Sequence, residues 1–295
     1  MTITLSFLSQ GFQVSPMLTA KSIGAIFCQG ASFQRERLRI MGRKIDLRLM
    51  AAFLRPASML AAVRCFAVCG QPLRLLYYYI TKNAFASDFI KFRFRTPTGD
   101  LELTAFSPED VITFFIIFCR REYTPQKHAR VFVDFGSNIG VTAAYFLSRD
   151  DRNVVYCYEP NSISAERLKA NLKPFEGRYF LEEVCVGDEE KSVTFGIEPT
   201  GVYSAVGLAG EGVKTVQVPC RDVNDILSGI ISERSRVDLL KIDIEGLEKE
   251  VIRAVRPELL KNIGQIEAET GEFDHQIPGY DRSQCGSIVR YQRKG

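Results

Sequence analysis

The sequence predicts an α/β protein built on a doubly wound, mainly parallel sheet, with a basic helical and hairpin N-terminal extension. After Arg130, short apolar segments alternate with helical segments of about 10 to 15 residues, a pattern typical of parallel strands joined by crossover helices. The first apolar segment, VFVDFGSNIG at 131–140, runs directly into a glycine turn. Residues 1–95 hold 14 Lys/Arg against 3 Asp/Glu, a charge of +11, which leaves −8 for the remainder.

Residues 1–50 show no clear periodicity and include the basic cluster RERLRIMGRKIDLR, so we predict a poorly defined basic segment there. Translation could also start at Met41 or Met50. A basic N-terminal region can bind nucleic acid or anionic lipid, although a basic face that is only exposed to solvent is the simpler explanation.

Residues 51–125 are predicted to form a helical and hairpin lead-in. Apolar residues recur at helical spacing from about 52 to 82, and the next segment alternates polar and apolar residues around a turn at Pro97 and Gly99. Ser107 is suited to cap the following helix, because a proline and two acids come directly after it.

The alternating region, residues 126–295, is predicted to form the main domain. Its strands are predicted at 131–135, 154–158, 180–186, 193–197, 213–218, 237–242 and 264–268, and its helices at 139–149, 161–173, 222–233 and 245–254. No apolar strand is evident after IEAETGEFDHQIPGY, residues 266–280, so the C-terminal end of this domain is expected to be atypical or truncated.

Composition argues against several kinds of site. The eight cysteines are scattered and only two histidines are present, so no structural zinc site is expected, and reduced, packed thiols indicate a cytoplasmic protein. Between 50 and 80 arginines recur about every ten residues and leave no run of roughly 18 apolar positions, so no membrane span is predicted. A helix there could pack on the core or lie on a membrane surface, and the basic N-terminal region could make peripheral membrane contact.

The segment VFVDFGSNIG places an acid and two glycines where a strand turns into a helix. Asp134 ends the strand, and ligands of doubly wound sheets bind beyond such carboxyl ends. Gly136 would allow a sharp turn and close approach of a ligand, and Gly140 would let the helix pack tightly on the strand. Asn138 stands where the dinucleotide pattern GxGxxG has a glycine. A leading acid suits a cofactor with a cationic amino-acid moiety, such as S-adenosylmethionine, although a strand and glycine turn without a ligand are as common.

A second acid, Glu159, ends the next predicted strand, VVYCYEP, 25 residues after Asp134. A carboxylate in that position can accept hydrogen bonds from both hydroxyls of a ribose. The two acids at this spacing therefore favour a nucleoside cofactor over a turn that binds nothing.

The segment VDLLKIDIEGLEKEVI brings charges to a third strand end. Alternation puts Lys241, Asp243 and Glu245 on one side of the strand. They could position a substrate hydroxyl and take its proton, or Asp243 and Glu245 could hold a divalent cation, for which nothing else in the sequence argues. The alternative is that Glu245 and Glu248 only favour the helix N-terminus while Lys241 pairs with an acid.

In order, VFVDFGSNIGVTAAYFLSR, VVYCYEPNSISAERLKANL and VDLLKIDIEGLEKEVI resemble the FkbM-type family of S-adenosylmethionine-dependent methyltransferases. VPCRDVNDIL, FRFRTPTGDLEL and SPEDVITFFIIFCRREY are similar to the same family, and the resemblance covers about residues 88 to 275. It implies a Rossmann-like class I methyltransferase that methylates a hydroxyl, often of a sugar or a secondary metabolite.

The resemblance also implies roles for single residues. The implied cofactor-binding residues are Asp134, Gly136, Asn138, Gly140, Glu159 and Asp188, and the implied catalytic residues are Asp243, Glu245 and His275. The first four would line the methionine and ribose part of the cofactor, and Glu159 would take the ribose hydroxyls. Asp188 would lie on the adenine side, unless it is only a turn acid. His275 would be a base or substrate contact, because Glu272 and His275 loosely match the family's Glu-x-x-His end, unless it is an exposed loop histidine.

The predicted partner is a small-molecule or glycan acceptor, and the oligomeric state is not indicated. A nucleic-acid methyltransferase is an alternative because of the basic front, but no Asn/Asp-Pro-Pro-aromatic motif and no RNA-binding appendage is visible. An NAD-dependent oxidoreductase is disfavoured by the missing GxGxxG. A catalytically weakened cofactor-binding scaffold is the third alternative, which an atypical C-terminus would suit.

Overall fold

The computed structural model describes residues 37–40, 43–46, 56–83, 85, 87–123, 125–126, 128–197, 204–208, 210, 212–244 and 246–294. All of these except Arg37 belong to one compact unit, Leu38–Gly295. Among the described helices, none is both long and apolar enough to cross a membrane.

The elements are numbered in chain order. The strands are β1 Arg37–Ile40, β2 Arg43–Asp46, β3 Ile90–Thr96, β4 Gly99–Ala105, β5 Val131–Phe135, β6 Val154–Tyr158, β7 Tyr179–Glu182, β8 Cys185–Gly187, β9 Lys191–Ile197, β10 Ser204–Val206, β11 Lys214–Asp222, β12 Val237–Ile242, β13 Ile263–Glu269, β14 Tyr280–Cys285 and β15 Ile288–Arg293. The helices are α1 Pro56–Val68, α2 Pro72–Thr81, α3 Pro108–Phe114, α4 Val141–Leu147, α5 Ser162–Leu172, α6 Val223–Arg234, α7 Glu248–Ala254 and α8 Pro257–Leu260.

A seven-stranded sheet carries the fold, with the order β14-β15-β13-β12-β5-β6-β7. Every pairing from β13 through β7 is parallel, whereas β15 runs antiparallel to both β13 and β14. From β7 to β13 this is the 3-2-1-4-5 order of a doubly wound sheet, and the order reverses between β5 and β12. The predicted mainly parallel α/β fold is confirmed.

Hydrophobic residues cover both faces of this sheet. Phe132 of β5 belongs to the cluster that contains α4 and the lead-in elements α1 to α3 with the β3–β4 hairpin. Its neighbours Val131 and Val133 point the other way, into a cluster with residues of α6 and α7. Asp134, which shares the face of Phe132 by strand alternation, is therefore buried on the side of the lead-in.

The C-terminal segment differs from the sequence-based expectation. We expected no apolar strand after residue 280, but β14 and β15 form a hairpin that joins the sheet beside β13. β14 is a polar edge strand with one buried residue, Tyr280, and therefore lacks an apolar signature. In β15 the buried positions Ile288, Val289 and Tyr291 are too few to stand out in a sequence. The expected lack of strands there is wrong, while the domain boundaries stay a prediction.

Two elements that the sequence predicts as continuous are each divided in two in the structure. The single helix expected at about 52 to 82 is two helices, because Gly70 and Pro72 interrupt it between α1 and α2. The single strand expected at 180–186 is β7 in the large sheet and β8 in a second, four-stranded sheet of order β10-β9-β11-β8.

The lead-in ends beside the carboxyl ends of the parallel strands. Ser107 caps α3 as predicted, and its hydroxyl accepts from the Asp110 amide while the Asp110 carboxylate accepts from the Ser107 amide. The helix continues as a π-helical segment, Phe115–Arg120, and ends at Arg121, whose φ is 60°. This ending places Glu122 and Tyr123 at the edge of the sheet where ligands of doubly wound folds bind.

Candidate active site

The turn after β5 is built from residues in the left-handed region of backbone space. Gly136, Asn138 and Gly140 have φ values of 78°, 46° and 81°. A Cβ on Gly136 would lie 1.8 Å from the carbonyl oxygen of Asp243, so only glycine fits there. We predicted that Gly136 allows a ligand to approach closely. In the structure the group that lies against Gly136 is the Asp243 carbonyl, just after β12. A Cβ on Gly140 would lie 2.9 Å from Leu168 of α5, so this glycine allows α5 to pack closely against the start of α4.

A buried charge cluster lies beneath that turn. Lys241 and Asp134 are register partners in the parallel β5–β12 pair, and Lys241 Nζ lies 3.1 Å from Asp134 Oδ1. The same ammonium lies 3.3 Å from Asp243 Oδ2 and donates a 3.1 Å hydrogen bond to the Gly136 carbonyl. Burial alone would lower the pKa of Lys241, but the two carboxylates outweigh it and raise the pKa, so the ammonium stays charged. The lysine thus ties the glycine turn to the end of β12.

Glu159, at the end of β6, is held by two backbone amides. Its Oε2 accepts from the Asn138 amide at 2.7 Å, and its Oε1 accepts from the Asn161 amide at 2.9 Å. The residue is 6% exposed, and burial raises the pKa of its carboxyl to about 7, against the opposing effect of the two amides. Each oxygen keeps a lone pair for a ligand, because a carboxylate has about four acceptor positions.

A first cleft opens between this turn and the four-stranded sheet. Its polar wall is formed by Gly136, Asn138, Tyr158, Glu159, Pro160, Ser164 and Asp243, and its more apolar wall by Val184, Cys185, Val186, Phe195, Val206, Ile244 and Leu247. The Glu159 carboxylate facing a mainly apolar wall is the arrangement expected for a nucleoside, whose base is flat and whose ribose donates hydrogen bonds.

A second cleft lies on the other side of the glycine turn, against the lead-in. Its polar lining comprises Asp110, Thr113, Glu122, Tyr123, Ser137, Asn138, Thr142, Lys241, Asp243 and Glu269, and its apolar lining comprises Ile116, Ile117, Ile139 and Val141. Gly136, Asn138 and Asp243 line both clefts, so the two meet at the switch point between β5 and β12.

Tyr123 is a buried hydroxyl-bearing side chain of the second cleft. It is 5% exposed, and the Lys241 ammonium lies 5.7 Å from its ring centroid. Among the described residues, no group forms a hydrogen bond with its hydroxyl. Burial raises the pKa of Tyr123, with Lys241 opposing the shift, so the hydroxyl remains a hydrogen-bond donor at neutral pH.

The three predicted catalytic residues are placed differently. Asp243 lines both clefts, and its side chain is 31% exposed. Glu245 lies outside the described residues. His275 is half-buried in the loop before β14, where its ring stacks on Phe273 and its carbonyl accepts from the Tyr291 hydroxyl, and it lines neither cleft.

The predicted cofactor-binding residues also divide. Gly136, Asn138 and Glu159 line the first cleft. Asp134 is fully buried beneath it, and Gly140 packs against α5. Asp188 is exposed, pairs with Lys191 at 3.3 Å and does not line the first cleft. The roles that we predicted for these residues stay predictions.

Three residues of the second cleft were missed from the sequence. Glu269 ends β13, and the rule that ligands sit at carboxyl ends of strands could have found it, since that strand was predicted. Glu122 and Tyr123 come from the end of the lead-in, and no local motif marks them. Within the part of the chain that the structure describes, no group of three or more His, Cys, Asp or Glu is arranged to hold a metal ion.

The sheet order, with two clefts meeting at its switch point, defines a class I methyltransferase fold. The family model for the methyltransferase FkbM domain matches residues 134–294, more than half of the chain. The chain therefore belongs to the FkbM methyltransferase family, as the sequence motifs indicated.

Two curated relatives are similar over part of their length. The 2-O-methyltransferase NoeI of Sinorhizobium fredii is 26% identical over 156 residues, which cover 46% of this chain and 61% of NoeI. The AMB antimetabolite synthetase AmbE of Pseudomonas aeruginosa is 25% identical over 174 residues, which cover 47% of this chain and 8% of AmbE. The chain thus spans less than two thirds of either relative.

Solved structures are similar at lower identity. A methyltransferase from Geobacter sulfurreducens is 14% identical, with 57% of this chain and 72% of that chain covered and a TM-score of 0.33. An O-methyltransferase family protein from Burkholderia thailandensis is 11% identical, with 63% and 59% covered and a TM-score of 0.35.

Proposed function

We propose that this protein transfers the methyl group of S-adenosylmethionine to a hydroxyl of a sugar or a secondary metabolite. The observation that carries the proposal is the pair of clefts that share Gly136, Asn138 and Asp243. One cleft suits a nucleoside and the other is lined by carboxylates and hydroxyls. A methyl donor and its acceptor must meet in line, and a shared boundary between two clefts is where such alignment is achieved.

The residues of the first cleft fit S-adenosylmethionine. Val186, Phe195 and Leu247 offer an apolar surface for an adenine, and Glu159 has acceptor positions for ribose hydroxyls. When bound, this cofactor supplies an electrophilic methyl group.

The chain's own residues would then bind and activate the acceptor. Asp243 is the carboxylate that lines both clefts, and among the described residues only Lys241 pairs with its side chain. Lys241 fixes the Asp243 side chain at one oxygen and leaves the other for the proton of an acceptor hydroxyl. The Tyr123 hydroxyl, which has no hydrogen-bond partner among the described residues, would donate a hydrogen bond to the acceptor.

The charge of the second cleft favours a neutral acceptor over nucleic acid. Glu122, Asp243 and Glu269 line it, while its one ammonium, Lys241, is already engaged by two aspartates. Phosphates entering this cleft would be repelled, and the net positive charge of the chain lies elsewhere, in residues 1–95. The name of NoeI, a 2-O-methyltransferase, supports a hydroxyl as the methylated group.

Mass spectrometry of products tests the proposal. The full chain is incubated with S-adenosylmethionine and a panel of mono- and oligosaccharides, polyols and hydroxylated metabolites, with single-stranded RNA as the comparison. We expect a mass increase of one methylene group on a hydroxylated acceptor and none on RNA. Asp243→Asn serves as the matched control and should lose product while it still binds the cofactor. Methylated RNA together with unmodified hydroxyl acceptors would contradict the proposal.

A further inference from the structure

Helix α1 exposes its larger apolar residues and buries its smaller ones. Its buried residues are Ser58, Ala61 and Cys65. Its exposed large apolar residues are Met59, Leu60, Val63 and Phe66, which are 51% to 69% exposed. A helix that only packs on a core would have the opposite arrangement, because burial of large apolar side chains contributes most to stability.

The exposed side chains of α1 form one face. At about 100° per residue, the four side chains fall within an arc of roughly 120°. Leu73, in the first turn of α2, is 72% exposed as well. Among the described residues, five of the eight large apolar side chains that are exposed therefore lie between 59 and 73. Such a concentration marks an interaction surface, whereas single exposed apolar residues do not.

The charged residues within the sequence segment that carries this face have one sign. Between Asp46 and Asp88 the sequence contains no acidic residue. The basic residues in that interval are Arg48, Arg55, Arg64, Arg74 and Lys82. Arg64 lies one helical turn after Leu60 and so borders the apolar face, and Arg74 and Lys82 are exposed.

These charges distinguish between the surfaces that could cover the face. A second copy of the chain would bring the same cationic residues against each other. Residues 1–46 of the chain hold 6 Lys/Arg against 2 Asp/Glu, so they are basic too and offer no complementary charge. An anionic lipid surface complements both the apolar side chains and the arginines.

We propose that the exposed face of α1, extended by Leu73, docks the protein on the surface of an anionic lipid bilayer. With 13 residues α1 is too short to span a bilayer, so it would lie in the interface with its apolar side chains inserted. Arg64 and Arg74 would reach the headgroups. This surface is separate from the two clefts, and the inference does not depend on the proposed methyl transfer.

Vesicle co-sedimentation of the full chain tests the proposal. The probes are vesicles of phosphatidylcholine alone and vesicles of equal parts phosphatidylcholine and phosphatidylglycerol. We expect binding to the anionic vesicles that weakens with added salt, and little binding to the neutral ones. The triple variant Met59→Glu, Val63→Glu, Phe66→Glu should lower the partition coefficient about tenfold or more, since it replaces inserted side chains by charges that the lipid repels. Ile163→Glu, at an exposed isoleucine of α5, is the matched control and should bind like the wild type.

Each contrary outcome overturns the proposal. If the wild type binds neither kind of vesicle and the triple variant unfolds at a lower temperature, the face is covered by the chain's own N-terminal residues. If analytical ultracentrifugation shows a wild-type dimer that the triple variant dissociates, and vesicles bind neither protein, a second copy covers the face. Unchanged vesicle binding by the triple variant would place the lipid contact elsewhere on the chain.

Discussion

Replacing Glu159 by glutamine removes the charge of this one side chain in the first cleft while keeping its shape. In the wild type both carboxylate oxygens accept backbone amides, from Asn138 at 2.7 Å and from Asn161 at 2.9 Å. Glutamine has one acceptor oxygen, so its NH₂ group must face one of the two amides. A buried backbone N–H without a partner costs about 1 to 3 kcal/mol, and Glu159→Gln should be destabilised by that amount wherever the wild-type side chain is neutral.

The pKa of Glu159 makes this difference depend on pH. Burial raises the pKa from 4.5 in the unfolded chain to about 7 in the folded protein, so the folded state binds the proton more tightly between these values. The unfolding free energy of the wild type therefore falls as pH rises through this window, by about 3 kcal/mol for about 2.5 pKa units. Glutamine does not ionise, so the unfolding free energy of Glu159→Gln does not fall with pH in this way. We expect Glu159→Gln to be less stable than the wild type near pH 5 and about equal to it near pH 8.

Cofactor affinity should show the opposite trend. Ribose hydroxyls donate to the carboxylate, so the proposed role requires the ionised form of Glu159. With a pKa of about 7, the ionised fraction rises from about a tenth near pH 6 to about nine tenths near pH 8, and the wild-type affinity should rise about tenfold. Glu159→Gln should bind more weakly, with an affinity that hardly changes between the two pH values.

Isothermal titration calorimetry with S-adenosylhomocysteine measures the affinities, and urea unfolding at the same pH values measures the stabilities. Glu182→Gln is the matched control, because Glu182 ends the neighbouring strand β7 but pairs with Arg221 and lines neither cleft. It should keep the wild-type dependence on pH. An affinity of the wild type that is constant between the two pH values, or a dependence on pH that survives in Glu159→Gln, would refute the reasoning.

Four further substitutions test the site. Gly136→Ala should abolish cofactor binding in calorimetry, since its Cβ would lie 1.8 Å from the Asp243 carbonyl oxygen; wild-type affinity would show that the turn is not rigid. Asp243→Asn should depress turnover in a methyl-transfer assay while cofactor affinity stays the same, and full activity would exclude it as the base. Lys241→Met should lower the unfolding free energy by about 3 to 5 kcal/mol, because it leaves the buried Asp134 carboxylate without its cationic partner. An unchanged urea midpoint would contradict the buried pair. Tyr123→Phe should raise the KM for the acceptor about 5- to 30-fold without changing cofactor affinity; an unchanged KM would remove the hydroxyl from acceptor binding.

Much of the main sheet could be predicted from the sequence because its central strands are buried on both faces. β5, β6 and β12 have the predicted bounds, since each is an apolar run that ends in a charged or glycine-containing turn. β14 was missed because an edge strand that faces solvent needs few apolar residues. Its pairing with β15 depends on the tertiary fold, and no local sequence pattern predicts it.

Site residues that directly follow an apolar strand could be predicted from the sequence. Glu159 and Asp243 follow apolar strands, and the topology then brings both to the first cleft. Asp134 follows a strand too, but register with Lys241 pairs it beneath the turn, and register is not readable from one strand. Tyr123 could not be predicted, because its position at the sheet edge depends on how the lead-in helices pack, and no local sequence motif indicates that packing.

The measurement that tests the central claim most directly is competitive binding of S-adenosylmethionine, S-adenosylhomocysteine and NAD to the full chain, followed by calorimetry. The two clefts predict saturable binding of both S-adenosyl compounds in competition with each other at one site, weakened by Glu159→Ala, with no binding of NAD. Binding of NAD without S-adenosylmethionine, or affinity for S-adenosylmethionine that Glu159→Ala leaves unchanged, would contradict the assignment of the first cleft.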